Sequence, residues 1–528
     1  MRERARGEEK GLRAFVLGVE VQPAGQWQSI MGYHFNDSKL FIKIYVATPS
    51  LVPSCKRLID EGIHTSQGLS IRGQTFESNV PFVLRFMIDE NIQGSDWIEL
   101  PAGTYTRVAD TLTLSRCTLE VDVAFNNIVS HECMGIYSSI APLRVCSFDI
   151  ECGGRKGHFP DPQFDPVIQI ANIVTIQGTE TPIVRTVFTL NTCLPIVGAQ
   201  VICSETEEEM LLKWRDFILT IDPDILTGYN IANFDIPYLF NRAKALEKQF
   251  PSLKGFTDLS RVKRLKCSMK DTTFQSSAYG KRENVETTIN GRIIFDLLPY
   301  MFRNHKLSSY SLNSVSAEFL NSQKEDVHHS MISELQAGND ADRRRLAVYC
   351  LKDAYLPWQL MCKLSILVNY IEMSRVTGVP LNFILLRGQQ IKVFSMLLRK
   401  CKKSKMLIPH VNKVGAQEEG GYEGATVIDP KKAFYETPIA TLDFASLYPS
   451  IMQAYNLCYS TLLHNQDISK LSPDQYEKGP SGYIFVKGEH RRGILPQILD
   501  ELLAARKRAK KDMANATDPM EKAVQNGR

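Results

Sequence analysis

From Phe15 to about Ile140 the apolar and polar positions alternate with a period near two. The stretches F41-I-K-I-Y-V46, P81-F-V-L-R-F-M-I88 and L112-T-L-S-R-C-T-L-E-V-D-V123 read as strands, so residues 1–140 are expected to form a mainly β domain. The pattern changes beyond Pro142. The runs L143-R-V-C-S-F-D-I-E-C152, V167-I-Q-I-A-N-I-V-T-I176 and V187-F-T-L190 follow closely enough for a meander, and M210-L-L-K-W-R-D-F-I-L219 has helical spacing. Residues 141–363 therefore read as an α/β domain. A helical stretch follows, with Leu364, Leu367, Val368 and Ile371 on one face, and the polar, glycine-bearing H410-V-N-K-V-G-A-Q-E-E-G-G421 reads as a linker; together they occupy residues 364–418. In residues 419–493, I439-A-T-L-D-F-A-S-L-Y-P-S-I-M452 reads as a buried strand, an acid, a tight turn and a helix. Residues 494–528 form a helix with an apolar stripe at Leu495, Ile498, Leu499 and Leu502. The expected fold class is α/β and β, multidomain.

Composition narrows the function only slightly. At 528 residues the chain is long enough for about three or four domains. The balance of 62 basic against 58 acidic residues leaves a net charge of +4, so any surface for a polyanion must be local. Twelve cysteines without a C-x-x-C pair favour reduced thiols and disfavour a zinc site. No apolar run is long enough for a membrane span, and M1-R-E-R-A-R-G-E-E-K10 lacks the apolar region of a secretory signal.

The chemistry starts at Asp149 and Glu151. Two residues apart in a strand, their carboxylates project from one face, and like charges so close resist ionisation unless a positive partner such as a pair of divalent ions lies between them. Taken alone, two solvated acids are the commoner explanation. Two further acids change that balance. I225-L-T-G-Y-N-I-A-N-F-D-I-P-Y-L239 reads as a buried strand, a glycine turn and a helix that brings Asn230 and Asp235 near the strand's carboxyl end. Asp235 alone could be a first-turn acid favoured by the helix dipole. In R343-R-R-L-A-V-Y-C-L-K-D-A-Y-L356, Tyr349 and Asp353 stand one turn apart on a helix, a spacing that is most often a surface pair.

In this order F-D-I-E, N-x-x-x-F-D-x-P-Y-L and Y-x-x-x-D resemble the three exonuclease motifs of family-B DNA polymerases, and most of the chain from about Pro81 resembles that family. The resemblance implies an RNase-H-like 3′-to-5′ proofreading exonuclease in residues 141–363. Asp149, Glu151, Asp235 and Asp353 would hold two Mg2+ ions, with Mn2+ an alternative, around a phosphodiester. Tyr349 would orient the attacking water, and Asn230 would contact DNA. T287-T-I-N-G-R-I-I-F295 carries a two-residue hairpin signal at Asn290-Gly291; in the family a hairpin of this domain helps partition the primer end. S277-A-Y-G280 matches part of a polymerase nucleotide-binding motif but lacks its Asn and stands too early, so it reads as a decoy.

A second site is implied beyond the linker. Y422-E-G-A425 resembles the family motif that touches the template strand, which would make Tyr422 and Gly424 DNA contacts; an ordinary turn is the alternative. I439–M452 resembles the first palm motif: Asp443 would be a catalytic metal ligand, Ser446 and Leu447 would offer backbone N–H groups to the nucleotide, and Tyr448 would lie beneath its sugar. Arg506 and Lys510, one turn apart in the fingers helix, would grip the triphosphate, although R506-K-R-A-K-K511 also fits a nuclear localisation cluster or a solvated basic face. The sequence holds no D-T-D, the second palm carboxylate motif, so an incomplete polymerase site is expected, as in an amino-terminal fragment or truncated form. Implied partners are primer-template DNA with a single-stranded 3′ end and, weakly, deoxynucleoside triphosphates. A sliding clamp and accessory polymerase subunits are further implied, although R387-G-Q-Q-I-K-V-F-S-M-L-L398 reads better as a packing helix than as a clamp ligand. No membrane is expected and the location is nuclear. An iron–sulfur cluster would belong only to a carboxyl-terminal part outside this sequence. The alternative function is a catalytically silent DNA-binding or subunit-docking product.

Overall fold

The computed structural model describes residues 15–35, 39–64, 68, 70–155, 157–276, 280–322, 327–410, 426–517, 522 and 524. Tyr422 and Gly424, the linker segment 411–421 and the tip 277–279 of the decoy motif lie outside them. The chain forms two units, one from residues 1–93, 377–379 and 388–514, the other from 94–376, 380–387 and 515–528.

The first unit opens with strands β1 (Val16–Gln22) and β2 (Phe41–Val46), an antiparallel ribbon, followed by helix α1 (Val52–Glu61). P81-F-V-L-R-F-M-I88, read above as a strand, is instead helix α2 (Phe82–Asp89). Leu84 and Ile88, four apart, are its buried residues, and Arg85 pairs with Asp89 one turn on at 2.8 Å. A short apolar run fits either period, and here burial at i and i+4 decides.

In the second unit, the alternation at 112–123 yields only a short strand, Val121–Val123, paired with Tyr105–Arg107. The Glu120 carboxylate accepts the backbone N–H groups of Leu114 (3.0 Å) and Ser115 (2.8 Å), which diverts that segment from a ladder. The centre of this unit is a six-stranded sheet. It contains β3 (Arg144–Cys152), β4 (Val167–Ile176), β5 (Val184–Leu190) and β6 (Gln200–Ser204); helix α3 (Glu207–Ile221) leads to β7 (Ile225–Gly228) and helix α4 (Asp235–Leu246). The strands β8 (Ser268–Ser276) and β9 (Gly280–Thr288) form a separate hairpin, and β10 (Ile293–Asp296) returns to the sheet. The order is β6-β5-β4-β3-β7-β10, antiparallel at β3/β4 and β4/β5 and parallel elsewhere.

Both faces of the sheet are covered, which explains why nearly every residue of β4 is buried. On one face Cys146, Phe148, Ile150 and Cys152 of β3 pack with Trp214 of α3 and Leu239 and Phe240 of α4. On the other, Ala171 and Ile173 of β4 meet Ala347, Cys350 and Ala354 of the long helix α5 (Asp340–Lys363). Two buried polar side chains of the sheet find partners on the covering helices: Trp214 Nε1 donates to Asn172 Oδ1 at 3.0 Å, and Gln169 Nε2 to the Arg343 carbonyl at 3.0 Å.

The hairpin expected at Asn290-Gly291 is not there. Gly291, at φ +84°, turns the chain from β9 into β10, but β10 pairs in parallel with β7, with Ile293 opposite Ile225. The buried Arg292 holds the turn on Asp222 (2.7 Å) and the Pro223 carbonyl (2.7 Å), and Phe295 enters the core. Burial against a central strand outweighs the local turn signal.

The first unit resumes with α6 (Gln390–Lys403), whose Leu398 and Cys401 pack with Ile30, Met406 and Ile494. Residues 439–445 are not the buried strand expected from their apolar character: they belong to no strand and are exposed up to helix α7 (Leu447–Ala454). No described strand pairs with them, and an unpaired segment has neither a ladder nor a partner face to bury. Helix α8 (Ile494–Asn515) closes the unit, tied to α7 by Arg492, which contacts both Asp500 and the Gln453 carbonyl.

Candidate metal centre

Alternation along β3 sends Phe148 and Ile150 into the apolar core and Asp149 and Glu151 to the face beneath α5. Glu151 is buried and Asp149 half-buried. Their neighbour on α5 is Cys350, and ligand atoms of Asp149, Glu151 and Cys350 all lie within 4.8 Å of one another. Cys350 Sγ lies 3.6 Å from the Asp149 carbonyl and 3.8 Å from its Oδ2. Another bond fixes the helix here: Ser147 Oγ donates to the Ala354 carbonyl at 2.6 Å.

Asp235 arrives from the other edge of β3. The parallel pairing with β7 ends at Ser147 opposite Thr227, so further along that edge the ladder offers no partner. Asp235 Oδ1 takes its place, accepting the Ile150 N–H at 3.1 Å. The departure of β7 depends on Gly228: a Cβ there would stand 2.6 Å from the Phe148 carbonyl and 2.4 Å from Ile231. Asn230, at φ +67°, continues the turn, and its backbone N–H donates to Asp296 Oδ1 at 2.8 Å. Asp296, at the end of β10, also accepts from Ala232 (3.0 Å) and Leu298 (3.0 Å). Burial pushes the Asp235 carboxyl well above the ordinary carboxylate range, with Asp296 and Asp353 adding to the rise. Burial likewise raises Asp296, to about 6.

Helix α5 supplies Tyr349 and Asp353, both buried. The Tyr349 phenol is pushed far up, first by burial, then by the charges of Asp353, Glu151 and Asp149, and its hydroxyl bonds to Asp353. The Cys350 thiol is raised by burial and by Asp149, Glu151 and Asp353. Carboxylates from three separate elements thus crowd one place, where each opposes the ionisation of the others. Divalent cations are the natural counter-charge, and the donor set fits them: three ligand atoms within one ion's reach, with Asp235 and Asp353 alongside.

Asp149, Glu151, Asp235, Tyr349 and Asp353 are therefore brought together, while Asn230 lies in the turn that carries Asp235. Cys350 and Asp296 escaped the sequence reading. Cys350 sits between Tyr349 and Asp353 in Y349-C-L-K-D353, and Asp296 ends an apolar strand, I293-I-F-D296, as Asp149 follows Phe148. The residues of the second motif set are not gathered in this way. Asp443 and Tyr448 are exposed, Ser446 caps α7 at φ +52°, Leu447 begins that helix, and Arg506 and Lys510 are exposed on α8.

Comparison with known proteins gives the class. Residues 73–315 match the family described as DNA polymerase family B, exonuclease domain, and residues 379–528 match DNA polymerase family B. The chain belongs to the family B DNA polymerases and carries their exonuclease domain. Within that family it is delta-like. It is 54% identical to the DNA polymerase delta catalytic subunit of Glycine max over 100% of this chain and 48% of the relative. Against the same subunit of Arabidopsis thaliana it is 55% identical over 97% and 46%, and against that of Drosophila melanogaster 51% over 99% and 48%. The chain spans about half the length of the curated relatives it matches. The family B DNA polymerase of Pyrobaculum calidifontis shares the fold, with a TM-score of 0.68 at 24% identity, covering 97% of this chain and 58% of that one.

Proposed function

We propose that the centre formed by β3, α4 and α5 is a 3′-to-5′ exonuclease site that removes nucleotides from the single-stranded 3′ end of a DNA primer. The observation that carries this reading is the meeting of Asp149, Glu151 and α5 beneath a buried sheet, with Asp235 bonded to the Ile150 amide between them. Asp149, Glu151, Asp235 and Asp353 would hold two Mg2+ ions, or Mn2+. When bound, those ions stabilise the attacking and leaving oxygens of an in-line displacement at phosphorus. The protein's own part is orientation. Tyr349 stays protonated at neutral pH, held by Asp353, so its hydroxyl is a fixed hydrogen-bond partner for the attacking water. Asn230 borders the strand of DNA that enters.

Asp443, Ser446, Leu447, Tyr448, Arg506 and Lys510 belong to the nucleotide-binding side of a family-B polymerase, and Tyr422 and Gly424 to its template contact. Primer-template DNA is the partner of the chain, deoxynucleoside triphosphates are weak ligands, and a sliding clamp and accessory polymerase subunits are further partners that the resemblance implies. The site of action is the nucleus. No described helix is long and apolar enough to cross a membrane. The test is a mismatched 3′ primer terminus incubated with the protein and Mg2+, with and without deoxynucleotides. Loss of the terminal nucleotide supports the reading, and its persistence after Asp149→Ala overturns it.

A further inference from the structure

We propose that Cys350 joins Asp149 and Glu151 as a donor in the acidic centre, and that it lets the site capture a thiophilic dication of the zinc class in place of magnesium, in a form that blocks cleavage. Four acids alone would make an all-oxygen site, which selects hard ions that keep several waters. Here a thiol lies beside Asp149 and Glu151, on a helix pinned to the sheet at Ala347 and Ala354 and by Ser147. Sulfur and carboxylate oxygens lie around a zinc ion at about 2.3 and 2.0–2.2 Å, so at tetrahedral angles two donors of one ion are about 3.6 Å apart. Cys350 Sγ already lies 3.8 Å from Asp149 Oδ2, and with all three donor atoms within 4.8 Å of one another a closure of at most about 1 Å completes the set.

Softness then decides which ion stays: thiolate favours zinc and cadmium over magnesium. Position decides the consequence. Cys350 has no exposed surface and packs against Ala171, Ile173 and Val187, where helix α5 meets the sheet. An ion bonded to its sulfur would be held at this buried contact of helix and sheet, which leaves it poorly placed to serve a phosphodiester. Coordination replaces the S–H bond with a sulfur–metal bond, the proton leaves to solvent, and no electron is transferred. The block of cleavage rests on the exonuclease reading; the metal binding does not.

The experiment uses the whole chain and cadmium as the probe, read by ultraviolet cadmium–thiolate charge-transfer absorbance and, in parallel, by inhibition of Mg2+-supported primer degradation. The difference between wild type and Cys350→Ala or Cys350→Ser removes the background of the other cysteines. The expected result is an absorbance that both variants lack, that Asp149→Asn weakens and that excess Mg2+ displaces. The cadmium concentration for half-inhibition should rise roughly 10-fold or more in the variants, the scale of losing a coordinating contact. Equal absorbance in wild type and folded Cys350 variants overturns the proposal. Should those variants misfold, absorbance unaffected by both Mg2+ and Asp149→Asn overturns it equally. Absorbance that depends on Cys350, in a protein that never degrades DNA, upholds the metal site and refutes the exonuclease reading.

Discussion

Asp149 and Asp443 each follow a large apolar residue, yet their surroundings are opposite. Phe148 and Ile150, beside Asp149, are buried at 0% and 4% exposure; Leu442 and Phe444, beside Asp443, are 94% and 75% exposed. The local text of the two motifs is similar, so the difference comes from neighbours. β3 has strands on both edges and helices on both faces, whereas no described strand pairs with residues 439–445. A cluster of acids becomes a metal centre only when a sheet floor and a helix roof fix the carboxylates against their mutual repulsion.

The largest test of that contrast is packing. Phe148→Ala should lower stability by about 3–5 kcal/mol in chemical unfolding, as for a large buried aromatic, whereas Leu442→Ala should stay within about 0.5 kcal/mol. Equal effects would mean that 439–445 is buried after all. Next comes the chemistry: Asp149→Ala should reduce 3′-end removal at least about 100-fold, since losing a ligand costs no less than losing its hydrogen-bonded support, and Asp443→Ala should leave it unchanged. A third test concerns the turn that frees the edge of β3. Gly228→Ala should cost about 1–3 kcal/mol, because the added Cβ meets backbone at the Phe148 carbonyl. Wild-type stability after this change would show that β7 can leave the sheet by another path.

The smallest expected effect is on pH dependence. Burial raises Asp296 to about 6, above an unfolded value of about 3.9, so between these pH values the folded chain holds a proton that the unfolded chain has released. Its contribution to stability is therefore present at low pH and is lost as pH rises through about 6. In metal-free buffer Asp296→Asn should flatten this decline by about 1–2 kcal/mol between pH 4 and 7. An unchanged slope, measured by thermal melts at each pH, would place the titration elsewhere.

Spacing placed each acid on its own element, and the resemblance to family-B motifs joined them into one centre. Period two puts Asp149 and Glu151 on one face, a four-residue step puts Tyr349 above Asp353, and strand, glycine and helix deliver Asp235. Each depends on a repeat shorter than a helical turn or on one turn of chain. What spacing could not disclose was which face of α5 meets the sheet, and hence that Cys350 joins the acids. The same limit explains the helix at Phe82–Asp89, where an apolar run suits two periods, and the turn at Asn290-Gly291, where pairing with distant β7 overrode a local signal. The segment 439–445 shows the reverse: an apolar strand pattern states a capacity for burial, and partners must realise it.

The bond from the Ile150 amide to Asp235 gives the centre its own indicator. This amide lies in the chain between two acids and donates to a third, so any ion that draws on the Asp235 carboxylate must alter the proton it holds. The nuclear magnetic resonance frequency of that one amide, followed in isotope-labelled protein, would register occupancy of the centre without DNA, without turnover and without a change of residue.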